Sequence, residues 1–318
     1  MAVKAKRQDA FIAYLTNMEK KMSIPLAYIG VIIIWSTTPL AILWSSEGVG
    51  FLFGVTSRMV IGAVLALMVA ALLGAGMKWH RRAMTAYTAA GLGIYGGMLT
   101  VYWAAQYIPS GWISVIFGLS PVVTGIMARY WLEGEALTLQ RVAGMLLGIA
   151  GLGVIFVTGV EMDGHVMLGI IAMLLSVIIH SASGIWVKRI DADVPAIVMT
   201  CGGLALAAPL FLMTWLFMGS DIPAGVTART MGAIGYLALF GSVLGFALYF
   251  YVLRYVQATK VALITLITPV IALALGNTLN SEPITVEVIA GAALILSGLA
   301  LFQLGDRMVR IRTVFQRL

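Results

Sequence analysis

Charged residues are scarce in this sequence. Of its 318 residues only 10% are charged, whereas 61% are hydrophobic, and a soluble domain carries about 25% charged residues. So little charge cannot cover the surface of a water-soluble protein of this length. The composition therefore excludes a soluble protein and predicts an integral membrane protein surrounded by the lipid bilayer.

Cysteine is almost absent, and acidic residues are absent from the middle of the long apolar runs. The single cysteine, Cys201, allows no intramolecular disulfide and no cysteine-based metal cluster. An enzyme would need carboxylates or histidines that converge at one place, but His180 is the one histidine within an apolar run. We therefore expect no metal, no cofactor and no enzymatic activity.

Ten apolar runs are long enough for a helix to cross about 30 Å of hydrocarbon. The runs are 24–45, 51–74, 84–106, 109–131, 139–158, 166–187, 196–218, 231–253, 259–279 and 286–304. Short loops separate them and leave no extramembrane domain that could hold an active site. The sequence predicts an all-α integral membrane protein with ten transmembrane helices.

The net charge of +7 follows membrane topology rather than a nucleic-acid ligand. If the N-terminus is cytoplasmic, all but two of the 20 basic residues lie in cytoplasmic segments; the exceptions are Arg229 and Arg58. This is the positive-inside asymmetry. It predicts that both termini are cytoplasmic, and we expect a bacterial inner (cytoplasmic) membrane and no nucleic-acid partner.

A stretch in the middle of the chain recurs near the C-terminus. Residues 108–157 correspond to 256–301 through the pairs Tyr107/Tyr255, Pro121/Pro269, Glu135/Glu282, Thr138/Thr285, Gly144/Gly291 and Gly151/Gly298. Each half has five runs, an odd number, so the second half must enter the membrane in the opposite orientation. We predict two inverted five-helix repeats, 23–158 and 166–304, between cytoplasmic tails 1–22 and 305–318.

Several of these residues resemble a known family. Pro121 with the segment LEGEALT at 132–138, Thr56-Ser57-Arg58 in the second run and Trp35-Ser36 in the first look like the EamA-type repeat of the drug/metabolite transporter superfamily. The resemblance covers roughly 26–157 and 168–303. It implies ten helices around a central cavity, lined mainly by helices 1, 3 and 4 and by their partners 6, 8 and 9. Members of this family move amino acids, sugars, other metabolites or drugs.

The candidate cavity residues are aromatic or hydroxyl side chains on those helices, together with one histidine. They are Trp35, Thr38, Tyr95, Tyr102, Trp112, Ser114, Phe117, His180, Tyr249 and Thr265. Aromatic faces suit aromatic or amphipathic solutes, although Tyr and Trp also concentrate at membrane interfaces. Pro121 and Pro269 are candidate hinges, because a proline inside a helix frees a carbonyl and bends the chain. A packing kink is the alternative for both prolines.

Two ionisable residues at membrane depth each have two interpretations. Arg58 is either a structural residue whose long side chain reaches water or a helix-end carbonyl, or a contact for an anionic or zwitterionic substrate. His180 either couples transport to protons or is a neutral, hydrogen-bonded residue of the bundle.

The paired glutamates are interpreted as structural. Glu135, Glu282 and Glu287 lie near the starts of the fifth and tenth helices, where negative charge is favoured. Thr138 and Thr285 are the predicted N-caps of these two helices.

The sequence therefore predicts a secondary transporter of small organic metabolites such as amino acids or related solutes. It would export its substrate by alternating access, with the two halves rocking around a midplane site. Two alternatives stay open, a multidrug exporter and a membrane-embedded receptor or enzyme. The oligomeric state is open as well.

Overall fold

The computed structural model describes residues 23–132, 139–158, 164–218, 222–266 and 268–315, and within them it contains helices and no strand. The helices are α1 (Ile24–Ser46), α2 (Phe51–Leu72), α3 (Arg81–Ala104), α4 (Ser110–Phe117), α5 (Ser120–Trp131), α6 (Leu139–Thr158), α7 (Gly164–Ile190), α8 (Ala196–Phe217), α9 (Ala228–Tyr236), α10 (Gly245–Tyr255), α11 (Ala258–Ala262), α12 (Thr268–Asn280) and α13 (Val286–Phe315). A π-helical segment, Leu237–Leu244, joins α9 to α10, and a 3₁₀ turn, Leu263–Leu266, follows α11.

Six helical segments in the described ranges are long and apolar enough to cross a membrane. They are Ile24–Ser46, Phe51–Leu72, Ser110–Trp131, Gly164–Ile190, Ala196–Phe217 and Ala228–Tyr255, with shorter apolar helices at Leu139–Gly151 and Val286–Phe302. Helix α3 is 24 residues long but rich in glycine, alanine and threonine, so it is less apolar than the six. The all-helical membrane fold is confirmed, and the count of ten spans stays a prediction.

In both helices that contain the paired prolines, an α-helical segment begins one residue before the proline. Helix α4 ends at Phe117 and α5 begins at Ser120, with Pro121 in its first turn; α12 likewise has Pro269 in its first turn. A proline has no N–H to offer the carbonyl four residues earlier. Instead, the Ser120 hydroxyl donates a hydrogen bond to the Phe117 carbonyl at 2.7 Å. The prolines therefore coincide with breaks, while their role as hinges stays a prediction.

Helices α6 and α13 cross at glycines from both halves of the chain. A Cβ atom on Gly144 would lie 2.2 Å from the Gly298 carbonyl oxygen, and one on Gly151 would lie 2.5 Å from the Gly291 oxygen. In the sequence duplication Gly144 corresponds to Gly291 and Gly151 to Gly298, so each contact is the counterpart of the other. Such reciprocal contacts are the signature of a local two-fold axis, and the two helices run antiparallel.

The other helices also pack against helices of the opposite half of the chain. Helix α3 of the first half packs on α7 of the second, and the counterpart contact joins α1 to α9 and α10. Helix α2 packs on α8, and α4 packs on α12. This arrangement brings α1, α4, α7 and α10 together at the centre of the molecule.

The predicted caps and glutamates have different outcomes. The Thr285 hydroxyl accepts a hydrogen bond from the Val288 amide at 3.4 Å, so this N-cap is confirmed, and Glu287 lies in the first turn of α13. Glu282 does not serve α13: its carboxylate accepts hydrogen bonds at the start of α4 instead, so that assignment was wrong. Chain folding brings the two loops together, which sequence proximity does not reveal. Glu135 and Thr138 lie outside the described residues.

Candidate functional site

Four aromatic rings from four helices form a layer at the centre of the bundle. The rings belong to Trp35 on α1, Phe117 on α4, His180 on α7 and Tyr249 on α10. The ring centroid of His180 lies 5.5 Å from that of Trp35, 5.7 Å from that of Phe117 and 5.2 Å from that of Tyr249. Trp35 and Tyr249 are 5.3 Å apart. These separations are within the range of favourable aromatic pairs, so the four rings pack as one group, called here the aromatic layer.

A cavity lies on each side of the aromatic layer. The first, called the Arg58 cavity, has a volume of about 60 Å³ and is lined by Trp35, Thr38, Pro39, Ile42, Arg58, Met98, Val101, Ile113, Ser114, Phe117, His180, Gly241, Phe246, Thr265 and Thr268. The second, called the Ser181 cavity, has a volume of about 20 Å³ and is lined by Trp35, Ser120, Thr124, His180, Ser181, Gly184, Ile185, Tyr249, Leu253, Ala258, Val261, Ala262 and Thr265.

The α4–α5 helix shows that the cavities lie on opposite sides. Ile113 and Ser114, which precede Phe117, line the Arg58 cavity, whereas Ser120 and Thr124, which follow it, line the Ser181 cavity. Sites for small molecules usually measure about 300–1,000 Å³. In this conformation neither cavity holds a metabolite without movement of its walls.

Arg58 is held inside the protein by two neighbours. Its Nε donates a hydrogen bond to the Ser242 hydroxyl at 3.0 Å, and its guanidinium carbon lies 5.9 Å from the centre of the Tyr102 ring. The residue is 1% exposed, so the expectation that its side chain reaches water was wrong. The Nη1 atom has no hydrogen-bond partner.

Two residues of the π-helical segment contact the guanidinium group of Arg58. Ser242 is the hydrogen-bond acceptor, and a Cβ atom on Gly241 would lie 2.9 Å from Nη2 of Arg58. A side chain at position 241 would therefore displace the guanidinium from its observed position. Single π-helical turns occur frequently at functional sites. Sequence reasoning missed both residues, because a π turn has no reliable sequence signature.

Polar contacts tie the bundle together at the two ends. At one end the Glu282 carboxylate accepts hydrogen bonds from the amides of Ser110 and Gly111, each at 3.2 Å. At the other, the Lys188 ammonium donates to the carbonyls of Leu253 at 2.7 Å and of Arg254 at 3.0 Å, where α10 ends. A carboxylate at a helix start and an ammonium at a helix end both complement the helix dipole.

Most of the predicted site residues are brought together. Six of them line the Arg58 cavity, namely Trp35, Thr38, Ser114, Phe117, His180 and Thr265, and Tyr249 lines the Ser181 cavity. Whether they contact a substrate stays a prediction. Pro39, which lies inside the continuous helix α1, also lines the Arg58 cavity.

The remaining predicted residues line neither cavity. The Tyr95 hydroxyl is hydrogen-bonded to the Thr214 hydroxyl at 2.6 Å, and the Tyr102 hydroxyl accepts from Ser45 at 3.2 Å. Trp112 is buried in α4. Pro121 and Pro269 lie at the helix breaks rather than on the cavity walls. Tyr102 nevertheless contributes indirectly, since it lies beneath Arg58.

Within the described ranges, no three His, Cys, Asp or Glu side chains are grouped as a metal site would require. Cys201 is buried, and its thiol donates to the carbonyl of Ala66 at 3.1 Å. The described part of the chain therefore offers no candidate metal centre.

Comparison with known proteins relates this architecture to transporters. The profile of the EamA-like transporter family matches residues 22–157 and 167–304. Among relatives, the uncharacterized transporter YoaV of Bacillus subtilis is 25% identical over 87% of this chain and 96% of its own length. YvbV of the same organism, also an uncharacterized transporter, is 27% identical over 65% of this chain and 67% of its own length.

Two further matches are an inner membrane transporter and a solved structure with a similar fold. The uncharacterized inner membrane transporter YedA of Escherichia coli is 29% identical over 61% of each chain. One solved crystal structure superposes with a TM-score of 0.68 at 21% identity, covering 89% of this chain and 98% of the other. At that identity the likeness concerns the fold alone. The resemblance found in the sequence to the EamA and drug/metabolite transporter proteins is confirmed.

Proposed function

The chain belongs to the EamA-like transporter family, and from this membership we propose that it is a secondary transporter of small organic metabolites such as amino acids or related solutes. It works by alternating access and exports its substrate across a bacterial inner membrane. Ten helices in two inverted repeats, 23–158 and 166–304, form the transport unit, with tails 1–22 and 305–318 in the cytoplasm. No catalysis is part of this function.

The observation that carries the proposal is the aromatic layer between the two cavities. Trp35, His180 and Thr265 line both cavities, so the same side chains face a solute that approaches from either side. Alternating access requires such a central position, reached from one side at a time. The small volumes of the two cavities support a cycle in which the walls separate to admit the substrate.

The proposed orientation, with both termini in the cytoplasm, implies a side of the membrane for each cavity. With cytoplasmic termini, α1 runs outward, so Thr38 and Ile42, which follow Trp35, place the Arg58 cavity in the non-cytoplasmic half. The Ser181 cavity then opens towards the cytoplasm. The contacts of Glu282 and Lys188 close the non-cytoplasmic and cytoplasmic ends, respectively, and the breaks before Pro121 and Pro269 are the places where the helices bend between states.

Counterflow in proteoliposomes tests this function. The purified protein is reconstituted, and exchange of labelled solutes is measured for a panel of amino acids, organic acids and sugars. We expect exchange of at least one class by the parent protein, its loss in Trp35→Ala, and its retention in Trp79→Ala, since Trp79 is 73% exposed and lines neither cavity. A folded parent protein that exchanges nothing in the panel contradicts the proposal.

Multidrug export is the second candidate, and the largely apolar and aromatic lining of the Arg58 cavity is the observation that favours it. A lipophilic cationic dye added to the same panel separates the two functions. A multidrug exporter exchanges the dye together with unrelated solutes, whereas a metabolite exporter exchanges one chemical class.

A further inference from the structure

The Arg58 cavity contains a buried positive charge that the surrounding protein does not fully satisfy. We propose that Arg58 binds the carboxylate of the substrate, and that the transported solute is therefore a small organic monoanion with an apolar or aromatic body. This inference rests on the proposed transport function and, within small organic metabolites, selects carboxylate monoanions over zwitterionic amino acids.

The hydrogen bonding of the guanidinium carries the first step. An arginine has five N–H donors. Nε donates to Ser242, the guanidinium carbon lies 5.9 Å from the centre of the Tyr102 ring, and Nη1 has no partner although it is buried. A buried, charged donor left without an acceptor is costly, and in native proteins it calls for a specific explanation. A carboxylate oxygen of a bound ligand would accept a hydrogen bond from Nη1. Hydrogen bonds between guanidinium and carboxylate groups are strong and geometrically well matched.

The charge of the cavity carries the second step. Apart from His180, Arg58 is the one ionisable side chain among the described residues of the lining, and none of them is acidic. A bound ammonium group would therefore meet a positive charge and no carboxylate. The hydroxyls of Thr38 and Thr265 donate to the carbonyls of Ile34 and Ala262, each at 2.7 Å, so they offer an ammonium group neutral oxygens as acceptors and no compensating negative charge. The cavity thus favours a monoanion over a zwitterion or a cation.

Third, the guanidinium group of Arg58 is held in a fixed position. Gly241 leaves space at Nη2, and Ser242 anchors Nε, so the π-helical segment fixes the direction in which the group points. Such fixation on a rigid element is what a binding site needs, because a preorganised group loses little freedom when its ligand arrives.

The remaining walls indicate the body of the solute. Around Arg58 the lining includes Trp35, Phe117, Met98 and Phe246. These side chains offer apolar faces and ring surfaces suited to a planar or branched hydrocarbon group. A solute with one carboxylate and a hydrocarbon body meets both kinds of wall at once.

Calorimetric titration of the purified, full-length protein in nanodiscs tests the inference without depending on transport. The probes are phenylacetate, its neutral isostere phenylacetamide, the zwitterion phenylalanine and the cation phenethylammonium. We expect phenylacetate to bind roughly 10- to 100-fold more tightly than phenylacetamide, as the loss of a charge-assisted hydrogen bond predicts. Phenylalanine and phenethylammonium bind more weakly than phenylacetate.

Two arginine variants locate this preference. Arg58→Gln removes the preference for phenylacetate over phenylacetamide, whereas Arg141→Gln retains it. Arg141 is a matched control, since it is also buried, at 7% exposure, but lies 5.3 Å from the Phe302 ring between α6 and α13 and lines neither cavity. If Arg58→Gln does not fold, Ser242→Ala, which removes the anchor of Nε and with it the fixed direction of the guanidinium, is expected to reduce the preference several-fold.

The outcomes separate this inference from the proposed function. Equal binding of phenylacetate and phenylacetamide to the parent protein, or an unchanged preference in folded Arg58→Gln, overturns the inference. Exchange of neutral or cationic solutes in proteoliposomes without any exchange of anions also overturns it and leaves transport standing. Binding of phenylacetate through Arg58 without exchange of any solute supports a carboxylate site at Arg58 and contradicts transport.

Discussion

The carboxylate of Glu282, in the second half of the chain, accepts a hydrogen bond from the amide of Ser110 in the first half, at 3.2 Å. The carboxylate lies close to Gly276, where a Cβ atom would be 2.5 Å from Oε2 of Glu282. A side chain from the loop before α13 thus holds the start of α4, which carries Phe117 of the aromatic layer. This contact connects one end of the bundle to its centre.

Removal of this contact is expected to open the non-cytoplasmic end. In a Cys201→Ser background with Thr268→Cys as reporter in the Arg58 cavity, Glu282→Ala should increase labelling by a membrane-impermeant maleimide. A carboxylate at a helix start stabilises by ~0.3–2 kcal/mol, so the increase is up to roughly 30-fold. Glu287→Ala is the control and leaves labelling unchanged. Equal labelling rates with and without Glu282 would refute the closing role.

The crossing of α6 and α13 gives a prediction about stability. Gly144→Ala places a methyl group 2.2 Å from the Gly298 carbonyl, and such overpacking costs about 1–3 kcal/mol. Gly153→Ala, on the same helix, meets nothing within 4 Å. Thermal unfolding in detergent should show a clearly lower Tm for Gly144→Ala and an unchanged or slightly higher Tm for Gly153→Ala. A similar Tm for both variants contradicts the close crossing.

Arg58 should reduce stability in the absence of ligand. Replacing buried charged groups by apolar residues of similar volume is often neutral or stabilising, by about 1–4 kcal/mol. Arg58→Met is therefore expected to raise the Tm of the ligand-free protein while abolishing the binding of phenylacetate. A Tm that falls by several degrees, together with retained binding, would assign Arg58 a purely structural role.

His180 is expected to act through its ring rather than through a proton. Its contacts in the aromatic layer are with Trp35, Phe117 and Tyr249, and no acidic residue among the described ones lines either cavity. His180→Phe should keep solute exchange and its response to a transmembrane pH gradient, whereas His180→Ala should leave a gap and increase passive leak. Loss of the response to the pH gradient in His180→Phe alone would establish proton coupling at this residue.

The fold was largely predictable because its signals are local. Apolar runs report helices that cross a membrane, and the repeated residues around Pro121 and Pro269 mark the two places where the helices are interrupted. The site was predictable in part. Trp35, Phe117 and His180 were found from their depth and residue type, and they meet in the structure.

The missing parts depend on contacts between distant segments. Ser242 and Gly241 lie more than 180 positions from Arg58, and nothing in their local sequence points to an arginine partner. Glu282 was assigned to the nearest helix start, whereas chain folding delivers it to α4. Tyr95 and Trp112 are of the right type but line neither cavity, since residue type does not report the direction of a side chain in a bundle that is apolar all round.

The reciprocal glycine contacts of α6 and α13 have the form of a homodimer interface enclosed in one polypeptide. In a true dimer of identical subunits every feature of the central site would occur twice. Helix α8, which packs on α2, contains no arginine, so the tethered halves carry a single guanidinium where a dimer would carry two. Fusion of the halves has freed them to differ, and a binding site with one cationic pole can fix the head-to-tail direction of a single bound solute.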